Sequence, residues 1–257
     1  MVKRSIPTIL ATALALTFGL TGCGGDDGSG FKPVNAGKLT VCTEPPYAPF
    51  EEVVDGQIVG FDIDLMNEVA KDLGLELNPR ETPFEAIESA AALNIGECDV
   101  GASALTITDD RAAKLDFSVP YFESTLGLLV RVDSNVTRLD DLDGKPVGVQ
   151  QGTTGEIWAH EQARFGEIRQ FEGLGQMISA LRAGEVDGVL NDEPALVPYE
   201  QDGTMQVVDT FDTGERLGFA VKKDNTELLD QINKTLARLK SDGTFDELQA
   251  RWFSTLE

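Results

Sequence analysis

The sequence predicts an α/β protein built from two similar units. After residue 37, short apolar strands alternate with amphipathic helices at a spacing typical of parallel sheets covered by helices. The pattern Leu-x-x-Gly-Glu-x-Asp occurs at 93–99 and again at 181–187, each time where a helix ends and a strand begins. Polar residues follow strands of both units. We therefore expect two α/β lobes that face each other across one cleft.

The amino-terminal segment predicts export and attachment to a membrane. Lys3 and Arg4 precede an apolar run that is too short to span a bilayer, and small residues lead up to Cys23. This spacing resembles the bacterial lipoprotein signal, which implies cleavage after residue 22 and acylation of Cys23, for example with palmitate. Two or more acyl chains would hold the protein on the outer face of the cell membrane, or its periplasmic face. Residues 23–36 are polar and glycine-rich and predict a flexible tether.

Composition and charge narrow the function classes. The formal charge is −23, and it becomes −25 without the signal because that segment holds two bases and no acid. Nucleic acid is therefore excluded as a partner. The single histidine and the scattered carboxylates show no metal-ligand spacing, so we expect no metal and no cofactor. About 220 residues follow the tether, enough for two small cores, and we expect a monomer.

The secondary structure elements follow in a regular order. A Gly-Lys pair opens an apolar strand in each lobe, at 39–42 and at 147–149, and residues 99–103 form a further strand. Apolar residues recur at helical spacing in five segments, 62–73, 84–95, 175–183, 226–240 and 244–253. Residues 127–132 and 217–221 predict two extended crossings between the lobes. Extended crossings make good hinges.

Cys42 and Cys98 raise the question of a disulfide. Export permits one. If the strands that carry the two residues end at the same cleft, Cys98 lies about three residues lower, roughly 10 Å away along the strand. This exceeds the ~7 Å Cα separation that a disulfide tolerates, unless the chain before Asp99 curls back. Strand geometry therefore disfavours the pairing and does not decide it.

The segment 103–111, SALTITDDR, predicts a docking point for a carboxylate. It carries a strand end, a helix start at Thr108 and Arg111 one turn into that helix. A guanidinium there can hold a carboxylate through two parallel hydrogen bonds. The alternative is a surface ion pair between Arg111 and one of three nearby acids, Asp109, Asp110 and Asp116.

The chain after the tether resembles the extracellular solute-binding proteins of family 3, the polar amino acid receptors of ABC importers. The matching segments are 47–51, 60–65, 105–111, 116–121, 147–154 and 242–244. The resemblance implies a periplasmic-binding-protein-like fold of type II, with two lobes joined by two hinge strands. Lobe 1 would comprise 37–129 and 219–257, and lobe 2 would comprise 130–218.

The resemblance also implies roles for individual residues. Arg111, helped by Thr106 and Thr154, would bind the α-carboxylate. Asp192, assisted by Ser103, would receive the α-ammonium. Unless both charges are matched, desolvation of the zwitterion cancels the gain from burial.

The ligand side chain would meet a different set of residues. Tyr47 and Phe84 would hold it between aromatic faces, although either ring could simply pack in the core. Glu44 would contact its distal end, which favours a cationic side chain, then glutamine. The Gln150 amide can donate or accept a hydrogen bond, and Thr153 follows it at the end of the same strand. At Ala104 some relatives have a hydroxyl residue, which this sequence lacks.

These features predict a binding protein that captures a polar amino acid and delivers it to the permease of an ABC importer. No catalysis is expected, because no nucleophile–histidine pair is present. Two alternatives stay open at this point. One is a dehydratase-like enzyme of the same fold, in which a buried glutamate acts as an acid. The other is a sensory receptor subunit.

Overall fold

The computed structural model describes residues 30–254. The predicted signal peptide, Cys23 and the first part of the tether lie outside the described residues. Within 30–254, every helix is too short or too polar to cross a membrane. The end of the expected tether is bound to the folded body, because the Val34 N–H donates to Asp99 Oδ1 and the Asn35 amide donates to the Thr40 hydroxyl.

The described chain alternates strands and helices almost throughout. In chain order the elements are β1 Lys38–Thr43, β2 Glu52–Val54, β3 Gln57–Val59, α1 Phe61–Asp72, β4 Glu76–Glu81, α2 Phe84–Glu88, α3 Ala91–Asn94, β5 Val100–Gly101, α4 Asp109–Ala112, β6 Leu115–Phe117, β7 Phe122–Arg131, β8 Pro146–Gln150, α5 Thr154–Gln162, β9 Glu167–Phe171, α6 Leu174–Ala183, β10 Gly188–Asp192, α7 Glu193–Leu196, β11 Met205–Leu217, β12 Ala220–Lys222, α8 Thr226–Asp242 and α9 Thr244–Phe253. Short 3-10 helices span Leu139–Leu142 and Val197–Glu200.

Two five-stranded sheets share one strand plan. The order is β4-β1-β5-β12-β6 in the first sheet and β9-β8-β10-β7-β11 in the second. In each sheet the first three strands are parallel and the fourth is antiparallel to its neighbours. The repeat noted in the sequence is therefore a repeat of topology, and the prediction of a two-lobed α/β fold is confirmed. We call the first sheet with its helices lobe 1 and the second lobe 2.

Helix α1 shows how local sequence sets these elements. It begins after Gly60, whose φ of 146° and close approach to the Phe50 carbonyl leave no room for a side chain. Leu65, Met66 and Val69 then recur at helical spacing and are buried in the core of lobe 1. The first turn of α1 lies against the loop after β5, where the Ala104 N–H donates to Asp62 Oδ2.

The lobes are joined by β7 and β11, which pair with each other along most of their lengths. Residues 126–129 of β7 pair with β10 of the second sheet, whereas Phe122 packs against Phe50 and Phe61 of lobe 1, so β7 passes between the lobes before Leu126. The return crossing precedes Leu217, since the Arg216 carbonyl already accepts from the Ile107 N–H of lobe 1 and the Gly218 N–H donates to the Leu105 carbonyl. The expected crossing at 127–132 therefore falls too late in the chain.

The helix predicted over 84–95 is wrong as a single element. Ala90 has a φ of 70°, a left-handed conformation that an L residue cannot hold inside a helix. The chain therefore turns between α2 and α3. The apolar periodicity continues across the break because Ile87 and Leu93 both pack into the same cluster of buried residues.

The expectation against a disulfide is also wrong, since Cys42 and Cys98 are bonded with their Cα atoms 5.7 Å apart. The strand arithmetic failed because Cys98 is not part of a strand. After α3 the chain turns through Gly96, whose φ is 72°, and β5 begins only at Val100. The turn folds Cys98 back beside β1.

Candidate functional site

Four strand ends meet in the cleft between the lobes. β1 and β5 deliver residues 44 and 103–104 from lobe 1, while β8 and β10 deliver residues 150 and 191–192 from lobe 2. They enclose a small cavity between the two lobes. Every site residue predicted from the sequence lines this cavity, together with Asn191: Glu44, Tyr47, Phe84, Ser103, Ala104, Thr106, Arg111, Gln150, Thr153, Thr154 and Asp192.

Arg111 lies inside the protein, not on its surface. Its side chain enters the cleft from α4, which the Thr108 hydroxyl caps by accepting from the Arg111 N–H. The guanidinium donates to the Thr106 carbonyl at 2.8 Å and, across the cleft, to the Gly152 carbonyl at 2.8 Å. Arg111 is only 4% exposed, so the alternative of a surface ion pair does not describe it.

The surroundings of Arg111 explain how a buried cation is tolerated. Its guanidinium lies 5.3 Å from the centre of the Phe84 ring and 3.7 Å from a Glu88 carboxylate oxygen. Burial lowers the pKa of Arg111, and the negative charges of Glu88, Asp192 and Glu215 oppose that shift. The guanidinium keeps its charge, because the ordinary arginine pKa is far above neutrality.

Asp192 faces the same cavity from lobe 2. The Tyr47 hydroxyl lies 2.7 Å from Asp192 Oδ2 and 2.8 Å from Asn191 Oδ1, and it can donate its one proton to either. Burial, with the nearby charge of Glu215, raises the pKa of Asp192 to about 7 despite hydrogen bonds from Tyr47 and Ser124 and the charge of Arg111. A cation placed in the cavity would favour the ionised form.

Asn191 also lines the cavity, at the end of β10 next to Asp192. Its Oδ1 accepts from the Asp192 N–H and lies 2.8 Å from the Tyr47 hydroxyl. Its buried Nδ2 has no hydrogen-bond partner within residues 30–254. The amide is therefore oriented with its two N–H donors unused, so Asn191 offers donors and not acceptors to the cavity.

Glu44 lines the cavity from lobe 1, directly after β1. Its carboxylate accepts from the Phe84 N–H at 3.0 Å and from the Gln150 amide of lobe 2 at 2.5 Å. Burial raises the pKa of Glu44 to about 7; these two hydrogen bonds oppose the shift, and the charges of Glu172 and Glu81 add to it. Glu44 also borders a wider, open part of the cleft.

Two threonines of lobe 2 place a helix start at the cavity. Thr153 caps α5 by accepting from the Glu156 N–H, and its hydroxyl donates to the Gln150 carbonyl. Thr154 is the first residue of α5. The positive end of the helix dipole therefore lies on the same side of the cavity as Gly152, which Arg111 reaches. Together these groups form an anion-attracting corner.

Sequence reasoning missed two acids of the site. Glu88 lies one turn after Phe84 on α2, and the i,i+4 spacing could have placed it on the same helix face. Glu215 accepts from the Thr106 hydroxyl at 3.1 Å and is 8% exposed. It reaches the site from β11, next to an irregularity in the pairing with β7, and no local sequence pattern announces it.

A buried cleft with an arginine at one corner and carboxylates facing it, between two lobes of repeated topology, defines a two-lobed amino acid-binding protein. The family of bacterial extracellular solute-binding proteins, family 3, matches residues 39–255, and this chain belongs to it. The chain has the substrate-binding role that this family serves in ABC transporters.

Individual relatives support the same assignment. A probable histidine-binding protein of Neisseria gonorrhoeae is 32% identical over 95% of both chains. The L-cystine-binding protein of Escherichia coli is 30% identical over 98% of this chain and 95% of its own. An ancestral arginine-binding protein has been solved with arginine and with glutamine. The two structures are 36% and 37% identical to this chain, with TM-scores of 0.78 and 0.79, and cover 84% and 85% of this chain and 98% and 99% of their own. Each of these relatives is named for the amino acid that it binds.

Proposed function

We propose that this protein captures a polar amino acid in the cavity between its lobes and hands it to the permease of an ABC importer. The observation that carries this proposal is the placement of opposite charges in one buried site, Arg111 from lobe 1 and Asp192 from lobe 2. Arg111 binds the α-carboxylate, with Thr106, Thr154 and the start of α5 beside it. Asp192 binds the α-ammonium.

The ligand side chain extends toward Glu44, and this acid selects its chemistry. An ionised Glu44 pairs with a cationic side chain, while a protonated Glu44 can donate to the carbonyl of an amide. We therefore propose that arginine, lysine or a related cation is preferred and that glutamine ranks next. The ancestral relative that was solved with arginine and with glutamine fits this order. Tyr47 and Phe84 flank the path with their rings.

The same proposal places the protein outside the cell membrane as a monomer, held by acyl chains on Cys23. The lipid anchor would keep it near its permease, and the residues that follow would act as the tether. No bond is made or broken in this cycle, because capture and release need only the match of charge and shape.

Calorimetric titration of the signal-free protein with each common amino acid tests the function. We expect heat and a saturable isotherm with arginine or lysine, weaker binding with glutamine, and none with aspartate. A ligand that binds only the folded form also raises the midpoint of thermal unfolding. If no amino acid produces either signal, the proposed function is wrong. If only acidic amino acids bind, the role of Glu44 is wrong.

A further inference from the structure

Two buried acids lie beneath the cavity without any role in the proposed function. Glu51 and Asp62 belong to the segments 47–51 and 60–65 and are both fully buried. Asp62 accepts from the Ala104 N–H at 3.0 Å, and Glu51 accepts from the Ser103 hydroxyl at 2.5 Å. Both acids therefore hold the short loop that follows β5 and lines the cavity.

We propose that Glu51 is a positioning residue, which fixes the Ser103 hydroxyl as a hydrogen-bond acceptor for an N–H group on the ligand side chain, in place of the α-ammonium that the family resemblance assigned to Ser103. This inference rests on the proposed function and adds a second acceptor beside Glu44. It assigns Glu51 no direct contact with the ligand, because Glu51 does not line the cavity and Ser103 does.

The Ser103 hydroxyl has one hydrogen-bonding position left for the ligand. A serine hydroxyl has one proton to donate and two lone pairs. Its proton is directed to Glu51, and one lone pair accepts from the Glu44 N–H at 3.1 Å. One lone pair remains for the cavity. As long as Glu51 holds the proton, Ser103 can accept from a ligand and cannot donate to it.

The Glu51 carboxyl group can accept the Ser103 proton in its protonated form. Its Oε1 accepts from Ser103, whereas its buried Oε2 has no hydrogen-bond partner among residues 30–254. Burial, and next the charge of Asp62, raise the pKa of Glu51 well above its ordinary value and so favour the protonated carboxyl group. That proton belongs on Oε2, which leaves Oε1 as a carbonyl acceptor. A glutamine side chain offers the same carbonyl in the same place.

The position of Ser103 indicates which group of the ligand it contacts. The Ser103 hydroxyl is bonded to the main chain of Glu44, at the side of the cavity that we assign to the ligand side chain. Two acceptors, the Glu44 carboxylate and the Ser103 hydroxyl, therefore face one region. A guanidinium has several N–H donors in one plane and can serve both, while a carboxylate side chain can serve neither.

Two substitutions at one position separate this acceptor role from a charge role. Glu51→Leu removes the acceptor and frees the Ser103 proton to turn into the cavity, whereas Glu51→Gln keeps the acceptor. With L-arginine as the probe in calorimetric titration, we expect Glu51→Leu to weaken binding by about tenfold and Glu51→Gln to leave it within about twofold of the wild type. The midpoint of thermal unfolding without ligand should change little in the Leu variant, because the Ser103 proton can turn into the cavity instead of being left buried without a partner.

Control variants distinguish the acceptor role of Glu51 from a general effect of the substitution. Glu76→Leu makes the same change on an exposed strand position and should leave arginine binding unchanged. Wild-type affinity in Glu51→Leu, or an equal loss in the Leu and Gln variants, would overturn the acceptor role. If Glu51→Leu fails to fold, Ser103→Ala replaces it: a loss of about tenfold is expected, and unchanged affinity would overturn the inference. Failure of the proposed function differs, because the wild-type protein itself would then bind no amino acid.

Discussion

The two lobes share a strand plan but differ in how it is held together. In lobe 1 a disulfide joins Cys42, next to Gly101 in the sheet, to Cys98, which directly precedes Asp99. The same two places in lobe 2 are taken by Gly148, next to Val189, and Val186, which directly precedes Asp187. A β-carbon on Gly148 would lie 3.5 Å from Val186, so apolar contact occupies the position of the disulfide. One topology is therefore secured covalently in lobe 1 and by packing alone in lobe 2.

The lobes differ equally in what they bring to the cavity. Lobe 1 supplies Arg111 and Glu44, whereas lobe 2 supplies Asp192 and the start of α5. A zwitterion bound as we propose would have its carboxylate held mainly by lobe 1 and its ammonium by lobe 2. A ligand of this kind ties the lobes together, as the direct bonds from Arg111 to Gly152 and from Tyr47 to Asp192 already do across the cleft.

Replacing the disulfide of lobe 1 by the apolar pair of lobe 2 should have the largest effect. In the variant Cys42→Ala with Cys98→Val, we expect the free energy of unfolding to fall by about 4 kcal/mol or somewhat less, the chain-entropy value for a bridge over 56 residues. Denaturant unfolding under non-reducing conditions measures it. A reductant should destabilise the wild type and leave the variant unaffected. A loss smaller than about 1 kcal/mol would mean that packing holds both lobes equally well.

Removing the cation of lobe 1 should have the next largest effect, on binding and not on folding. Arg111→Ala deletes the guanidinium that we assign to the α-carboxylate, and we expect the affinity for the preferred amino acid to fall about a hundredfold, near 3 kcal/mol. Titration calorimetry measures it, with Arg169→Ala as the control because Arg169 pairs with the exposed Glu167 on β9 of lobe 2. Unchanged affinity in Arg111→Ala would remove Arg111 from the site.

The comparison also shows what the sequence could predict. Strands and helices whose patterns are local, such as α1, α6 and α9, lie within two residues of their predicted bounds. Predictions failed where one residue departs from a continuing pattern, as at Ala90, or where a turn carries a residue out of a strand, as at Cys98. The spacing of apolar residues indicates which face of a helix is buried. It does not reveal a single residue with a left-handed backbone conformation.

The cavity residues that follow strand ends could be predicted from the sequence. Residues after strands β1, β5, β8 and β10 converge because the carboxyl ends of parallel strands share one edge. Their functions as ligand contacts stay predictions. Glu215 and Glu88 come from an irregular stretch of β11 and from a short helix, so their approach to Thr106 and Arg111 depends on the tertiary fold.

The acids on the two sides of the cavity make binding depend on pH. Burial raises the pKa of both Asp192 and Glu44 to about 7, so between about pH 4 and 7 the folded protein without ligand keeps protons that the unfolded chain has lost. Their contribution to stability is full below about pH 4 and is lost as the pH rises toward 7. Binding has the opposite sign, because an ammonium group requires ionised Asp192 and displaces its proton.

We therefore expect affinity for an amino acid to rise more than tenfold from pH 5.5 to 8, since one released proton changes affinity about tenfold per pH unit below the pKa. Calorimetric titrations in buffers of different ionisation enthalpy measure how many protons the protein releases when the amino acid binds. Glutamine should release about one, from Asp192 in lobe 2, and arginine should approach two because Glu44 in lobe 1 also ionises. The Asp192→Asn variant should bind weakly and lose the pH dependence. An affinity that stays constant over this range would show that neither acid changes protonation on binding.

Neutralising the acid of lobe 1 should have the smallest effect, because it leaves the contacts to the α-carboxylate and α-ammonium in place. Glu44→Gln keeps the size of the side chain and an oxygen that can accept from the Phe84 N–H. It removes the negative charge that a cationic side chain needs. We expect the ratio of arginine to glutamine affinity to fall about tenfold, since the charge lost is partly open to solvent. Titration of both amino acids into both proteins measures the ratio. If arginine and glutamine weaken equally, Glu44 supports the structure of lobe 1 without selecting the side chain, and the choice among amino acids passes to Ser103 and the loops of lobe 2.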